Sequence, residues 1–198
     1  MRDPIDILQA ALARPGAETS DFELNPGFLP PAGRKLRPAG VLVPVSLVGS
    51  EPRLILTKRS SALRHHPGQI AFPGGKQEEA DADVTATALR EAEEEIGLPR
   101  GLPKILGHLS EHETGTGFKV TPVLAVLERA FDPVSEPGEV EDVFSVPLAH
   151  VLNPENYLIE SRQWQGGRRY YFTVPCGPYY IWGATARMLR GLALRAQA

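Results

Sequence analysis

Four carboxylates crowd five consecutive positions, at Glu91, Glu93, Glu94 and Glu95, with Arg90 directly ahead of them. The segment from Asp83 to Ile96 predicts a helix. Val84, Ala88, Ala92 and Ile96 recur in register, Asp81 or Asp83 can cap the start, and Gly97 can end it. On that helix Glu91 precedes Glu94 and Glu95 by three and four residues, so these three share a face and Glu93 points away. Like charges at that spacing cost about 0.2–0.5 kcal/mol per pair. Close to the negative end of the helix dipole, each exposed carboxylate costs about 0.3–1 kcal/mol more. Arg90 is expected to neutralise only one of them. Either the cluster is a solvated acidic face, or a divalent cation reverses the sign of the electrostatics. Magnesium takes hard carboxylate oxygens together with water and phosphate oxygens, so the residue types suit it.

The turn ahead of the helix adds to the second reading. Gly74-Gly75 lets the backbone approach a metal or a phosphate with no Cβ in the way. Arg59 and Arg64 lie just upstream and are candidate anion contacts with planar, multi-donor geometry. Their plainer roles are to end a strand and to cap a loop carbonyl. His65-His66 are too close in sequence for two ligands on one helix face, and zinc is not expected.

These groups need a frame. Ile5 to Ala13 predicts a short helix stopped by Pro15-Gly16, and Gly27 to Gly40, with Pro30, Pro31 and Pro38, an extended approach. Ala39–Val48 and Arg53–Lys58 predict two strands around the turn Gly49-Ser50-Glu51-Pro52, followed by a loop from Ser60 to Gly75. Ile105–His112 and Phe118–Leu127 predict a hairpin. Val143–Val146 predicts a short strand and Leu148–Leu152 a helical turn. Tyr157–Trp164 and Arg168–Val174 flank Gly166-Gly167 as a second hairpin, and Trp182–Arg195 closes the chain as a helix. Tyr170, Tyr171 and Phe172 follow two arginines, which suggests base stacking, but a hairpin with one buried face explains them better. Strand pairs around one central helix, with a final helix, imply an α/β fold in which a mixed sheet is sandwiched between helices.

Composition sets outer limits. The chain has 198 residues and a net charge of −3, which argues against nucleic acid or an anionic membrane as partner. Local positive charge still suffices for a small anionic substrate. Cys176 is the sole cysteine and is expected to be buried and inert; internal disulfides and thiolate zinc sites are excluded. With no signal-like stretch at the N-terminus and no apolar run of ~18 residues, a cytoplasmic location is the default expectation.

From Gly75 the sequence runs Gly-Lys-Gln-Glu-Glu-Ala-Asp, then eight residues, then Arg90-Glu91-Ala92-Glu93-Glu94-Glu95-Ile96-Gly97-Leu98. This resembles the Nudix box. It departs in having Asp81 for the usual glutamate and one extra residue before Arg90, which leaves the role of Asp81 open. Upstream, Leu56-Thr57-Lys58-Arg59-Ser60, Arg64, Gly68 and Phe72-Pro73-Gly74-Gly75 resemble the additional motif of the coenzyme A pyrophosphatase branch. Thr116-Gly117-Phe118 with Val120-Thr121-Pro122, and Ile181 to Arg187, resemble it too. The likeness spans roughly residues 38–190. It divides the chain into an extension, 1–37, and a Nudix domain, 38–198.

The resemblance implies a Nudix hydrolase using Mg2+ or Mn2+ to cut coenzyme A or its thioesters into 3′,5′-ADP and the 4′-phosphopantetheine. Glu91 and Glu95 become metal ligands, joined by Glu94 and by the Gly75 carbonyl. Arg90 orients the carboxylates, and Arg59, Arg64 and Gly74 meet the substrate. The base is left open between Glu94 and Glu141, from a later acidic loop that also holds Glu139 and Asp142. A solvated loop is the plainer reading of that stretch. An ADP-ribose hydrolase, or a domain that binds nucleotides without cutting them, are the alternatives. Many members of the family form homodimers, but no interface can be read from this sequence.

Overall fold

The computed structural model describes residues 3–28, 30, 33–63, 66–164 and 166–197. Helix α1 (Pro4–Ala13) begins where the Asp3 side chain accepts from the Ile5 N–H at 2.8 Å, with Pro4 in its first turn. Strand β1 (Thr19–Ser20) follows, then β2 (Arg37–Ser46), β3 (Arg53–Arg59), β4 (Ile70–Ala71) and β5 (Gly74–Lys76). Helix α2 (Val84–Ile96) leads to β6 (Lys104–His108), β7 (His112–Glu113), β8 (Phe118–Leu127) and β9 (Val140–Pro147). The chain ends with α3 (Leu148–Val151), a hairpin of β10 (Leu158–Trp164) and β11 (Gly167–Cys176), then β12 (Tyr179–Trp182) and α4 (Gly183–Gln197).

The main sheet is mixed. β2 runs parallel to β8 over ten residue pairs and antiparallel to β3 and β5, while β6 and β7 pair antiparallel with β8 and β9 with β3. Its central strands are apolar on both faces because helices cover both. Along β8, Val123, Ala125 and Leu127 meet Ala88, Ala92 and Ile96 of α2. The alternate residues Val120, Leu124 and Val126 belong to the larger core with Leu8 and Ala11 of α1 and Leu189 and Leu192 of α4. The sheet is thus sandwiched between α2 and the α1/α4 pair, and the second sheet, β10–β11–β12, packs against α4 through β11.

Three local differences from the sequence reading have physical causes. The segment 60–75 is not all loop: β4 pairs with β3 and β5 with β2, pairings that two and three residues cannot announce by periodicity. β9 starts at Val140, three residues before the expected Val143, because Glu141 and Asp142 interrupt the apolar pattern there without ending the pairing with β3. β12 is a further short strand, reached through Gly177 in the left-handed region at φ 56°. Residues 19–20 also join the main sheet, parallel to β7, so part of the N-terminal extension is built into the same layer. Cys176 is half-buried rather than buried, and burial pushes its thiol up.

Candidate active site

Helix α2 presents the acidic ridge from a fixed start. The Asp83 side chain accepts from the Ala86 N–H at 2.8 Å, and Gly97 closes the other end at φ 68°. The apolar stripe Ala88, Ala92 and Ile96 is buried, which turns the carboxylates toward β5 and the Gly74-Gly75 turn. The ridge is graded, not uniform. Glu95 is buried, the Glu91 side chain is mostly so, Glu94 is about half exposed, and Glu93 pairs outside with Arg100 at 2.6 Å.

Arg90 does more than neutralise one of these groups. Its Nε and Nη2 donate to the two oxygens of Asp81, each at 2.9 Å, while Nη1 donates to Glu91 at 3.0 Å and Glu94 at 2.9 Å. Asp81 also accepts from the Glu78 N–H and the Thr87 hydroxyl, and the Arg90 guanidinium holds its carboxyl far below the usual range. The Asp81 that departs from the box pattern is therefore the anchor of Arg90. A shorter side chain suffices because α2 brings Thr87 and Arg90 over it.

Glu95 has little to balance its charge. The Gly74 N–H donates to it at 3.0 Å, and the Arg59 guanidinium stands 3.9 Å away. Burial dominates and, with repulsion from Glu91, pushes its carboxyl up to about 7, the Gly74 hydrogen bond opposing. Burial likewise pushes Glu91 up, against Arg90 and with help from Glu94 and Glu139. Such under-compensated hard oxygens suit a divalent cation. Among the described residues no three acidic, histidine or cysteine side chains converge as a cage; a cation at Glu91 and Glu94 would have to compete with Arg90, which donates to both.

The two glycines play separate parts. A Cβ on Gly74, whose φ is 154°, would lie 2.5 Å from the Gly40 carbonyl oxygen and the Val41 Cα. A Cβ on Gly75 would lie 2.5–2.8 Å from the Glu91 carboxylate. Gly74→Ala is thus expected to destabilise the fold, because backbone must move. Gly75→Ala is expected to fold normally yet lose about tenfold to a hundredfold in kcat/KM, since only the end of Glu91 is displaced. Melting curves and initial rates separate the two; a normal rate for Gly75→Ala contradicts the placement of Glu91 at the reacting centre.

The later loop sorts its acids by a bulge. Between β3 and β9 the register passes from Lys58 opposite Asp142 to Arg59 opposite Val140, skipping Glu141. Glu141 consequently pairs with Lys58 at 2.5 Å, and its hydrogen bonds from Lys58 hold its carboxyl down. Asp142 accepts from the Tyr179 hydroxyl at 3.3 Å. Glu139 is the loop acid whose field acts on both Glu91 and Glu95.

A cavity of about 1050 Å³ opens from Gly74 and Arg59. Its far walls come from residues 20–28, from β10 and β11, and from the start of α4. Arg34, Arg59, Arg162, Arg169 and Arg187 line it, against two acids, Asp21 and Glu23. Phe22, Phe28, Tyr170, Tyr171 and Trp182 supply aromatic surface, and His66 sits on the rim with φ 55°. Phe172 is buried as the hairpin reading requires, but Tyr170 and Tyr171 face this cavity. The sequence signal for it was the Arg-Arg-Tyr-Tyr run; its partners from 20–28 lie some 140 residues away. Arg64 and His65 lie outside the described residues.

The family model for the NUDIX domain matches residues 36–165. The chain is 39% identical over 175 residues to the Nudix hydrolase NudL of Photorhabdus laumondii, covering 85% of this chain and 92% of that protein. It is 40% identical over 159 residues to NudL of Cronobacter sakazakii, covering 80% and 82%. In structure it resembles a MutT protein from Methanosarcina mazei, with a TM-score of 0.52 at 19% identity over 83% of this chain and 95% of the other. It also resembles a C. elegans Ap4A hydrolase, with a TM-score of 0.50 at 20% identity over 56% and 80%. Both structures support the fold alone. No helix among the described residues is long and apolar enough to cross a membrane.

Proposed function

Because this chain belongs to the Nudix hydrolase family, whose members cleave phosphorus anhydrides with divalent metal ions, we propose that it hydrolyses coenzyme A or its thioesters. The products are 3′,5′-ADP and the (acyl-)4′-phosphopantetheine, and the metal is Mg2+ or Mn2+. The observation that carries this reading is the large cavity beside Gly74 and Glu95, with five arginines against two acids among the described residues, in a chain of net charge −3. It is at the upper end of ligand-site volumes and suits a long, multiply phosphorylated nucleotide. The upstream motif from Leu56 to Gly75 points the same way.

Glu91 and Glu95 hold the cation in this reading, with Glu94 joining when it leaves Arg90. When bound, the ion supplies Lewis acidity and shields the charge of the diphosphate. Arg59, beside Glu95, clamps the diphosphate, and the Gly74 turn lets the phosphate come close to backbone. Glu139 takes the proton of the attacking water in preference to Glu141, which Lys58 already holds. Arg90 keeps the ridge in place from Asp81.

A rate comparison on coenzyme A, dephospho-coenzyme A and ADP-ribose with each metal, products resolved by mass, tests the proposal. Coenzyme A is expected to give the highest kcat/KM. Faster turnover of ADP-ribose would reassign the substrate, and nucleotide binding with no turnover would make the domain a binder. Arg59→Ala is expected to lower kcat/KM on every diphosphate by about one to two powers of ten, the loss of one charge-assisted hydrogen bond. Arg64→Ala separates a second diphosphate clamp, which depresses all substrates, from a contact to the 3′-phosphate, which depresses coenzyme A alone. If neither variant changes any rate more than about twofold, both arginines are scaffold.

A further inference from the structure

Two arginines of the cavity make no side-chain hydrogen bond among the described residues and hold only a loose ion pair. Arg59 stands 3.9 Å from Glu95 at the catalytic end, and Arg169 stands 3.7 Å from Asp21 on the far wall. Arg34 and Arg187 are different: the first donates to Glu113 and to two carbonyls, the second forks onto Glu23. The wall that carries Arg169 is built to hold still. The buried side chain of Asn25 accepts from the Tyr170 N–H at 2.7 Å and donates to the Tyr170 carbonyl at 2.8 Å, stitching the N-terminal segment to β11 next to Arg169.

Asp21 is likewise committed elsewhere. One oxygen meets Nε2 of the fully buried His112 at 3.2 Å, and the other accepts from the Gly115 N–H at 2.8 Å. Nδ1 of His112 meets the Thr19 hydroxyl at 2.8 Å. Burial would raise the Asp21 carboxyl, but the bonds to His112 and Gly115 outweigh it, so Asp21 stays ionised. It therefore attracts Arg169 without using up its donors.

We infer that Arg169, positioned by Asp21, forms a second anion subsite that takes a phosphate monoester of the substrate distinct from the scissile diphosphate. This rests on the reading of the chain as a hydrolase of a nucleotide bearing an additional phosphate monoester. With Arg59 at the diphosphate, the two arginines of one cavity hold two phosphorylated positions of one ligand, and the fork of Arg169 matches a phosphate monoester. Asp21 and Arg169 both lie outside residues 36–165, so the subsite belongs to parts of the chain beyond the segment matched by the family model.

Calorimetric titration of the metal-free full chain with 3′,5′-ADP and with 5′-AMP tests this, since the two differ by one phosphate. The wild type is expected to bind 3′,5′-ADP about tenfold to a hundredfold more tightly, the range of one or two charge-assisted hydrogen bonds. In Arg169→Gln that ratio is expected to fall to about twofold or less, with Arg169→Lys between them because it keeps the charge and loses the fork. Equal affinities in the wild type, or a full ratio kept by Arg169→Gln, overturn the subsite. Turnover of coenzyme A by the wild type judges the parent reading separately. Turnover with a ratio that ignores Arg169 leaves that reading standing and removes the subsite; no turnover with a ratio that depends on Arg169 does the reverse.

Discussion

Glu95→Gln is expected to lower turnover by about three powers of ten or more, equivalent to ~4 kcal/mol of barrier, while making the metal-free protein more stable at neutral pH. The first effect follows from the proposed role of Glu95 as a charged oxygen donor to the cation. The second follows from the elevation of the Glu95 carboxyl from 4.5 to about 7, caused first by burial. A carboxyl raised in the folded state binds its proton more tightly there than in the unfolded chain. Stability gained from that proton is complete below pH ~4.5 and lost as pH rises through about 7. At about 1.4 kcal/mol per tenfold change in proton affinity, the ceiling on that loss is about 3 kcal/mol.

Glutamine carries no such penalty and can still accept the Gly74 N–H. Metal-free wild type and variant should therefore melt together near pH 5, and the variant should melt about 5–10 °C higher near pH 8. Magnesium or manganese at a hundredfold excess over Kd returns about 2.7 kcal/mol to the wild type and much less to the variant. If the separation is the same at both pH values, or the variant is the weaker at pH 8, Glu95 is not an under-compensated buried charge.

Arg90→Met is expected to be the most damaging single change to the fold around the site, at about 3–5 kcal/mol, the cost of stranding a buried charge. Asp81 and Glu91 have side chains only 5% and 18% exposed, and Arg90 supplies their counter-charge. At this chain length the loss corresponds to a fall of roughly 8–15 °C in melting temperature. Adding Asp81→Asn to Arg90→Met should recover part of it, because the stranded charge goes with its partner. Divalent metal should recover another part through Glu91, a route that does not reach Asp81. A single variant melting within about 3 °C of the wild type would mean that the Arg90 network is solvated decoration.

Much of this molecule is written in short-range pattern. The α2 register, its Asp83 and Gly97 caps, and the placing of Glu91 and Glu95 on one helix face all depend on neighbours within a few residues, where helical geometry leaves little choice. The same holds for β2, β3 and β8, whose apolar runs are long enough to be legible, and for the hairpin of β10 and β11. The mixed sheet between helices followed from these elements.

Packing decided the rest. That Arg90 reaches across to Asp81 depends on how the 77–83 loop folds over the helix start, and helix periodicity carries no information on it. That Glu141 is taken up by Lys58 turned on one skipped residue in the register opposite Lys58 and Arg59. The grading from buried Glu95 to exposed Glu94 came from the packing of α2 against β2 and β5, since a helical wheel gives directions but not depth. The cavity is the furthest from sequence. Its arginines and aromatics come from residues 20–34, 59, 72, 118, 162–172 and 182–187, and only the docking of the N-terminal segment onto β7 and β11 makes them one surface. Local pattern therefore specified the acidic ridge and its Gly-Gly turn. The cavity beside them was set by contacts between segments some 90 to 165 residues apart, whose energies reside in burial and paired charge that no short window of sequence contains.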